Sequence, residues 1–176
     1  IAMTANNQAI TTLHHLLDYD ATKFTSAEIH LKGALPEWIN KTSSLMLKTV
    51  LQKYRDFVEQ HVKKMEVFFE EEDINALSLL NRIMQAFIDE TNEKLAACTD
   101  PEIKDACLLA GIQTINHYKI SIYGTAAAFA RTLEMEQHAA IFYEAKGNEK
   151  QIDSRLSQLA AFEINKKAKT PIVLPS

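Results

Sequence analysis

The chain has 176 residues, 47% hydrophobic and 24% charged, with only 4 glycines and 4 prolines. That balance excludes a disordered or fibrous protein, and so little turn material excludes a many-stranded fold, so one all-α domain with a real core is expected. A formal net charge of -4 and a pI near 5.9 offer no footprint for nucleic acid, and no run approaches the ~20 apolar residues of a membrane span.

After a polar lead, Ile10, Leu13, Leu17, Phe24, Glu28, Leu31, Leu35 and Trp38 recur at helical spacing and predict a first helix over about 7–40, with a kink or break at Pro36. The segment NKTSS, Asn40 to Ser44, reads as a turn whose hydroxyls cap a second helix over about 44–71, with Leu47, Leu51, Tyr54, Val58, His61, Met65 and Phe68 inward. Acids favour helix N-termini, so the run Glu70 to Asp73 is assigned to the approach of a third helix. That helix, about 76–97, is expected to bury Leu77, Leu80, Ile83, Met84, Phe87, Ile88 and Leu95. Thr99, Asp100 and Pro101 predict the start of a fourth helix over about 101–132. A fifth, over about 135–165, shows the stripe Met135, Ala139, Phe142, Lys146, Glu149, Asp153, Leu156 and Ala160. The remainder, KKAKTPIVLPS from Lys166, has lost the period and reads as a non-helical tail, so 1–165 forms the domain and 166–176 the tail.

Cys98 and Cys107 lack metal-ligand spacing and read as small core residues in a reducing compartment. The opening IAMTANNQ lacks the basic and apolar regions of a signal peptide, so a cytoplasmic location is expected. His14 and His15 read as ordinary surface, and His117 lies off the central line of its helix.

Phosphate loops, nucleophile elbows and zinc pairs are absent from the sequence. What remains is polar residues on core stripes: Glu28, Tyr54, His61, Asn116, Lys119, Lys146, Glu149 and Asp153. The line through Ile112, Asn116, Lys119 and Tyr123 is one face of the fourth helix. An ammonium there must be met by counter-charge, because leaving it unpaired away from water is very costly. Inward carboxylates and a histidine build a two-metal centre in some bundles; carboxylates with lysines build a metal-free ion-pair network.

The segments AEIHLKGALP (Ala27 to Pro36), HVKKME (His61 to Glu66), MQAFIDETNE (Met84 to Glu93), EIKDACLLAGIQTINHYKISIYGT (Glu102 to Thr125) and EKQIDSRL (Glu149 to Leu156) resemble the YciF/YciE-like family of ferritin-like bacterial proteins. The resemblance covers about residues 13 to 160. It implies a ferritin-like four-helix bundle with an additional helix in the crossover, a homodimer, and an association with stress without a settled activity. The family's inward acids match at Glu28, Glu149 and Asp153. Its EHYE reads Asn116, His117, Tyr118, Lys119 here, its HLEE reads Tyr54, Arg55, Asp56, Phe57, and the acid after Met84 is Gln85.

Lys119, helped by Lys146, is therefore expected to take the electrostatic place of metal against Glu28, Glu149 and Asp153. Three readings follow: a non-enzymatic bundle with a degenerate metal site and no cofactor; an iron or manganese oxidoreductase with the reduced ligand set Glu28, His61, Glu149 and Asp153; and a small-ligand binder in the bundle centre. No nucleic-acid or membrane partner is expected in any of them.

Overall fold

The computed structural model describes residues 9–75 and 80–169. Helix α1 (Leu13–Lys41) starts where the Thr12 hydroxyl accepts the His15 N–H at 3.0 Å. It starts later than the apolar stripe suggests, and Ile10 is largely exposed. The helix runs through Pro36 without a break. Proline removes one helical hydrogen bond there, while buried Leu35, Trp38 and Ile39 hold the turn against the core.

Helix α2 (Leu45–Glu71) is capped by Ser44, whose hydroxyl accepts the Leu47 N–H at 3.2 Å. Buried Asp105 reinforces that start by accepting the Ser43 and Ser44 N–H groups at 2.9 and 2.8 Å. The acidic run does not lead into the third helix as expected. Glu70 and Glu71 close α2 and Glu72 is its C-terminal cap residue, because histidines from two other helices meet these acids: His14 donates to Glu72 and His138 to Glu71, each at 2.6 Å.

Helix α3 (Arg82–Ala97) starts at Asn81, which caps the Met84 N–H at 2.8 Å. The expected start at 76 and the expected burial of Leu77 lie outside the described residues. Leu80 and Ile83 are exposed, whereas Met84, Ile88 and Leu95 are buried. Helix α4 (Pro101–Thr132) carries Asp100 as its cap and Pro101 in its first turn. Helix α5 (Glu136–Leu159) passes through a π-helical turn, Ala160–Ile164, into α6 (Asn165–Lys169). Helix thus continues past the boundary expected at Lys166, and 170–176 lie outside the described residues.

Helices α1, α2, α5 and α4 pack in a ring, each against the next, and α3 covers α1 and α4 from outside. The side-chain contacts fix the directions. Asp105 and Glu163 reach Ser44 at one end, while His14 and His138 reach the end of α2 at the other. So α2 and α4 run parallel, α1 and α5 run opposite to them, and the α2 to α4 crossover must travel the length of the bundle with α3 in it. Trp38 anchors α3 by donating its indole N–H to Asn92 at 2.8 Å. Gly111 is needed beneath it, since a Cβ there would stand 2.5 Å from the Thr91 hydroxyl oxygen. Among the described residues there is no strand, and no helix is long and apolar enough to cross a membrane.

Cys98 and Cys107 are half-buried at the α3 to α4 junction rather than core residues.

Helix α4 ends with Glu134 at φ 60°, where the Met135 N–H bonds back to the Ala130 carbonyl at 2.9 Å. That left-handed position suits glycine, so Glu134→Gly should stabilise by ~0.5–1 kcal/mol in a urea titration. A loss of stability would show that the glutamate side chain matters more than its backbone.

Candidate functional site

The apolar core is divided in two. One block holds Leu31, Leu35, Trp38, Leu47, Leu51, Leu109, Ile112 and Leu156; the other holds Leu17, Phe24, Met65, Phe68, Ala130 and Phe142. Between them lies a polar layer. Glu28 comes from α1, Tyr54 and His61 from α2, Asn116, Lys119 and Tyr123 from α4, and Glu149 from α5. The α4 residues reach the centre because spacings of three and four stack side chains on one helical face.

Lys119 is fully buried, with 0% exposure. Its ammonium sits 2.9 Å from Glu28 Oε2 and in direct contact with Glu149 Oε1. It also donates to the Tyr54 hydroxyl at 3.3 Å and lies 4.7 Å from the centre of that ring. The remaining carboxylate oxygens are met in turn. Tyr54 donates to Glu149 Oε2 at 2.7 Å, and the Asn116 amide reaches the same oxygen at 2.7 Å and the Glu149 carbonyl at 2.8 Å. His61 donates from Nδ1 to Glu28 Oε1 at 3.1 Å, and Tyr123 donates to that same oxygen. The Asn148 amide donates to His61 Nε2 at 3.2 Å.

Burial would discharge both carboxyls. For Glu28, Lys119 and the hydrogen bonds from His61 and Tyr123 outweigh it and bring the pKa down to about 2. For Glu149, burial and the neighbouring Glu28 charge prevail over Lys119, and the pKa is raised. Burial would also discharge Lys119, but Glu149 and Glu28 hold its pKa above the ordinary lysine value. Burial and the carboxylates push both tyrosine hydroxyls well up, so both are donors. Every carboxylate oxygen of the layer is met, while the Asn116 amide oxygen is left without a hydrogen-bond partner among the described residues.

Two residues expected in this cluster stand outside it. Asp153 lies on the shoulder of α5, accepting from His117 at 2.8 Å and Gln113 at 3.2 Å. The Lys146 side chain crosses over Gly124, where there is no Cβ to exclude it, and makes no ion pair among the described residues. Asn148, off the α5 stripe, gave no periodic signal. Within this layer the residues that approach a metal-ligand set are Glu28, His61 and Glu149, with one donor atom each within 4.8 Å of the others. Lys119 is lodged against both carboxylates of that set, so the centre as arranged fits an ammonium rather than a divalent cation. An apolar cleft of about 550 Å³ lies elsewhere, on the surface between α2 and α5, lined by Met46, Val50, Ile152, Leu159 and Phe162 among others.

Known proteins carry the same architecture. The chain is 30% identical over 144 residues to Protein YciF of Escherichia coli K12, covering 81% of this chain and 87% of that protein. The crystal structure of the E. coli stress protein YciF superposes with a TM-score of 0.82 at 28% identity, covering 90% of this chain and 100% of the other. YcfI of Rhodopseudomonas palustris gives a TM-score of 0.82 at 22% identity over 87% of this chain and 98% of its own, and so shares the fold. A two-domain protein from Anabaena variabilis with DJ-1/ThiJ/PfpI-like and ferritin-like domains gives a TM-score of 0.57 at 16% identity over 94% of this chain and 40% of its own. Residues 12–169 match the domain of unknown function DUF892. The chain is a ferritin-like bundle of the YciF type and belongs to the DUF892 family.

Proposed function

We propose that this chain is a non-enzymatic, stress-associated structural protein whose ancestral two-metal centre has been replaced by an ion-pair network around Lys119. The single observation that carries this reading is the Lys119 ammonium held between the Glu28 and Glu149 carboxylates, with no exposure to solvent. An ammonium supplies there the positive charge that two clustered carboxylates need in order to ionise together. The stress association rests on the likeness to YciF, which is described as a stress protein. Two unpaired cysteines support a cytoplasmic location, and exposed Leu45, Met46 and Phe162 support a homodimer.

The second reading, an iron or manganese oxidoreductase, is favoured by the Glu28, His61 and Glu149 donors alone. Loading the purified chain anaerobically with ferrous iron or manganese, then desalting and elemental analysis, separates the two. The network reading expects any retained metal to be the same in the wild type and in a folded Glu149→Gln variant. Stoichiometric metal that disappears with Glu149→Gln would place the ion at the centre and overturn it.

A further inference from the structure

At the end of the bundle where α1 and α5 begin and α2 finishes, five side chains unused by the central network converge. His14 and Asp18 sit one turn apart on α1, Glu71 and Glu72 close α2, and His138 lies in the first turn of α5. His14 Nε2 is 2.6 Å from Glu72 Oε2 and 3.7 Å from Asp18 Oδ1. One donor atom each from His14, Asp18 and Glu72 falls within 4.8 Å of the other two. His138 donates its Nε2–H to Glu71 at 2.6 Å, which leaves the Nδ1 lone pair 3.8 Å from Glu72 Oε1. A carboxylate that fixes a histidine tautomer in this way is the usual outer partner of a metal-ligating imidazole.

Two features set this group apart from ordinary surface charge. Asp18 Oδ1 is shut off from solvent yet has no hydrogen-bond partner, so a buried lone pair points into the group unanswered. The acids also stand at the wrong end of α2. Its C-terminus carries partial negative charge, and its last turn contains no basic residue. A cation satisfies the orphaned oxygen and the helix end together.

We propose that His14, Asp18, Glu72 and His138 form a site for a divalent transition-metal ion, zinc foremost, with Glu71 orienting His138. Two imidazole nitrogens and two carboxylate oxygens match the donors and coordination number that zinc accepts. Drawing them to the ~2.0–2.2 Å of zinc bonds needs side-chain rotation, and the His14 side chain, 45% exposed, has room to turn. On binding, the His14 ring must carry its proton on Nδ1, which frees the Nε2 lone pair for the ion with no net proton lost from that ring.

Titration of the untagged full chain with zinc sulfate by calorimetry tests this. The expected result is one zinc per chain, an affinity lowered at least tenfold by His14→Ala and by Asp18→Asn, and no change on His117→Ala or on a folded Glu149→Gln. Circular dichroism of each variant separates lost ligands from lost structure. Cobalt should give the intense visible bands of tetrahedral coordination, abolished by His14→Ala. Zinc affinity unaffected by both His14→Ala and Asp18→Asn, or abolished by His117→Ala or Glu149→Gln, would overturn the assignment.

Discussion

Replacing Lys119 with alanine is expected to destabilise the fold by ~3–5 kcal/mol, the range seen when one member of a buried ion pair is removed. The deletion leaves two carboxylates facing each other in an apolar interior, with Tyr54, Asn116, His61 and Tyr123 as their remaining partners. Lys119→Met should be nearly as costly, because it restores volume but not charge. Adding Glu28→Gln and Glu149→Gln to Lys119→Met should recover much of the loss, since replacing a whole buried ionic set is often neutral or better. Chemical denaturation midpoints at neutral pH measure all three. A change under ~1 kcal/mol for Lys119→Ala would mean that the side chain reaches water by running along apolar surface, and the network account would fall.

Acid is expected to unfold the protein through Glu28, with Glu149 pulling the other way. The Glu28 pKa is depressed to about 2, so its contribution is complete above the ordinary carboxylate pKa of ~4.3 and is lost as pH falls towards its folded value. At ~1.4 kcal/mol per pKa unit the depression is worth on the order of 3 kcal/mol. Glu149 is raised by burial and by Glu28. Its contribution is therefore greatest when it is protonated and declines as pH rises from the ordinary carboxylate range towards its folded value. The wild type should gain stability as pH falls towards the ordinary carboxylate range, where Glu149 takes up its proton, and lose it steeply below that range. Glu28→Gln should remove the steep fall, while Glu149→Gln should remove the gain that precedes it. Urea titrations at pH 7, 5, 4 and 3 read this directly. Parallel pH profiles for the wild type and Glu28→Gln would show that acid acts elsewhere.

Much of the centre was legible because one helix face is a local property. Asn116, Lys119 and Tyr123 follow from 3.6-residue spacing, and Glu28 and Glu149 are acids on otherwise apolar stripes. Lys146 and Asp153 lie on the same α5 line as Glu149, yet only Glu149 meets the axis. The others are decided by neighbours, Gly124 opening a path for Lys146 and His117 catching Asp153. A stripe on one helix does not separate its centre from its shoulder. The acids Glu70 to Glu72 were misplaced for a similar reason. The dipole argument is local, whereas His14 and His138, which reverse its outcome, arrive from sequence positions about 60 residues away on either side. The half-exposed cysteines show the same limit, because apolar surroundings in sequence did not specify a helix junction.

The polar layer between the two apolar blocks also sets the register of the bundle. Leucine, alanine and phenylalanine side chains on long parallel faces tolerate sliding, because one turn of ~5.4 Å brings another apolar residue into a similar hole. Lys119 does not tolerate it. A one-turn slip of α4 would carry the ammonium beyond both carboxylates and leave three buried charges without counter-charges at once. The four helices thus have one axial alignment in which every charge is met, in the way a single buried polar residue fixes the alignment of a coiled coil. Whatever chemistry its relatives perform at this level, here the layer serves as the molecule's ruler.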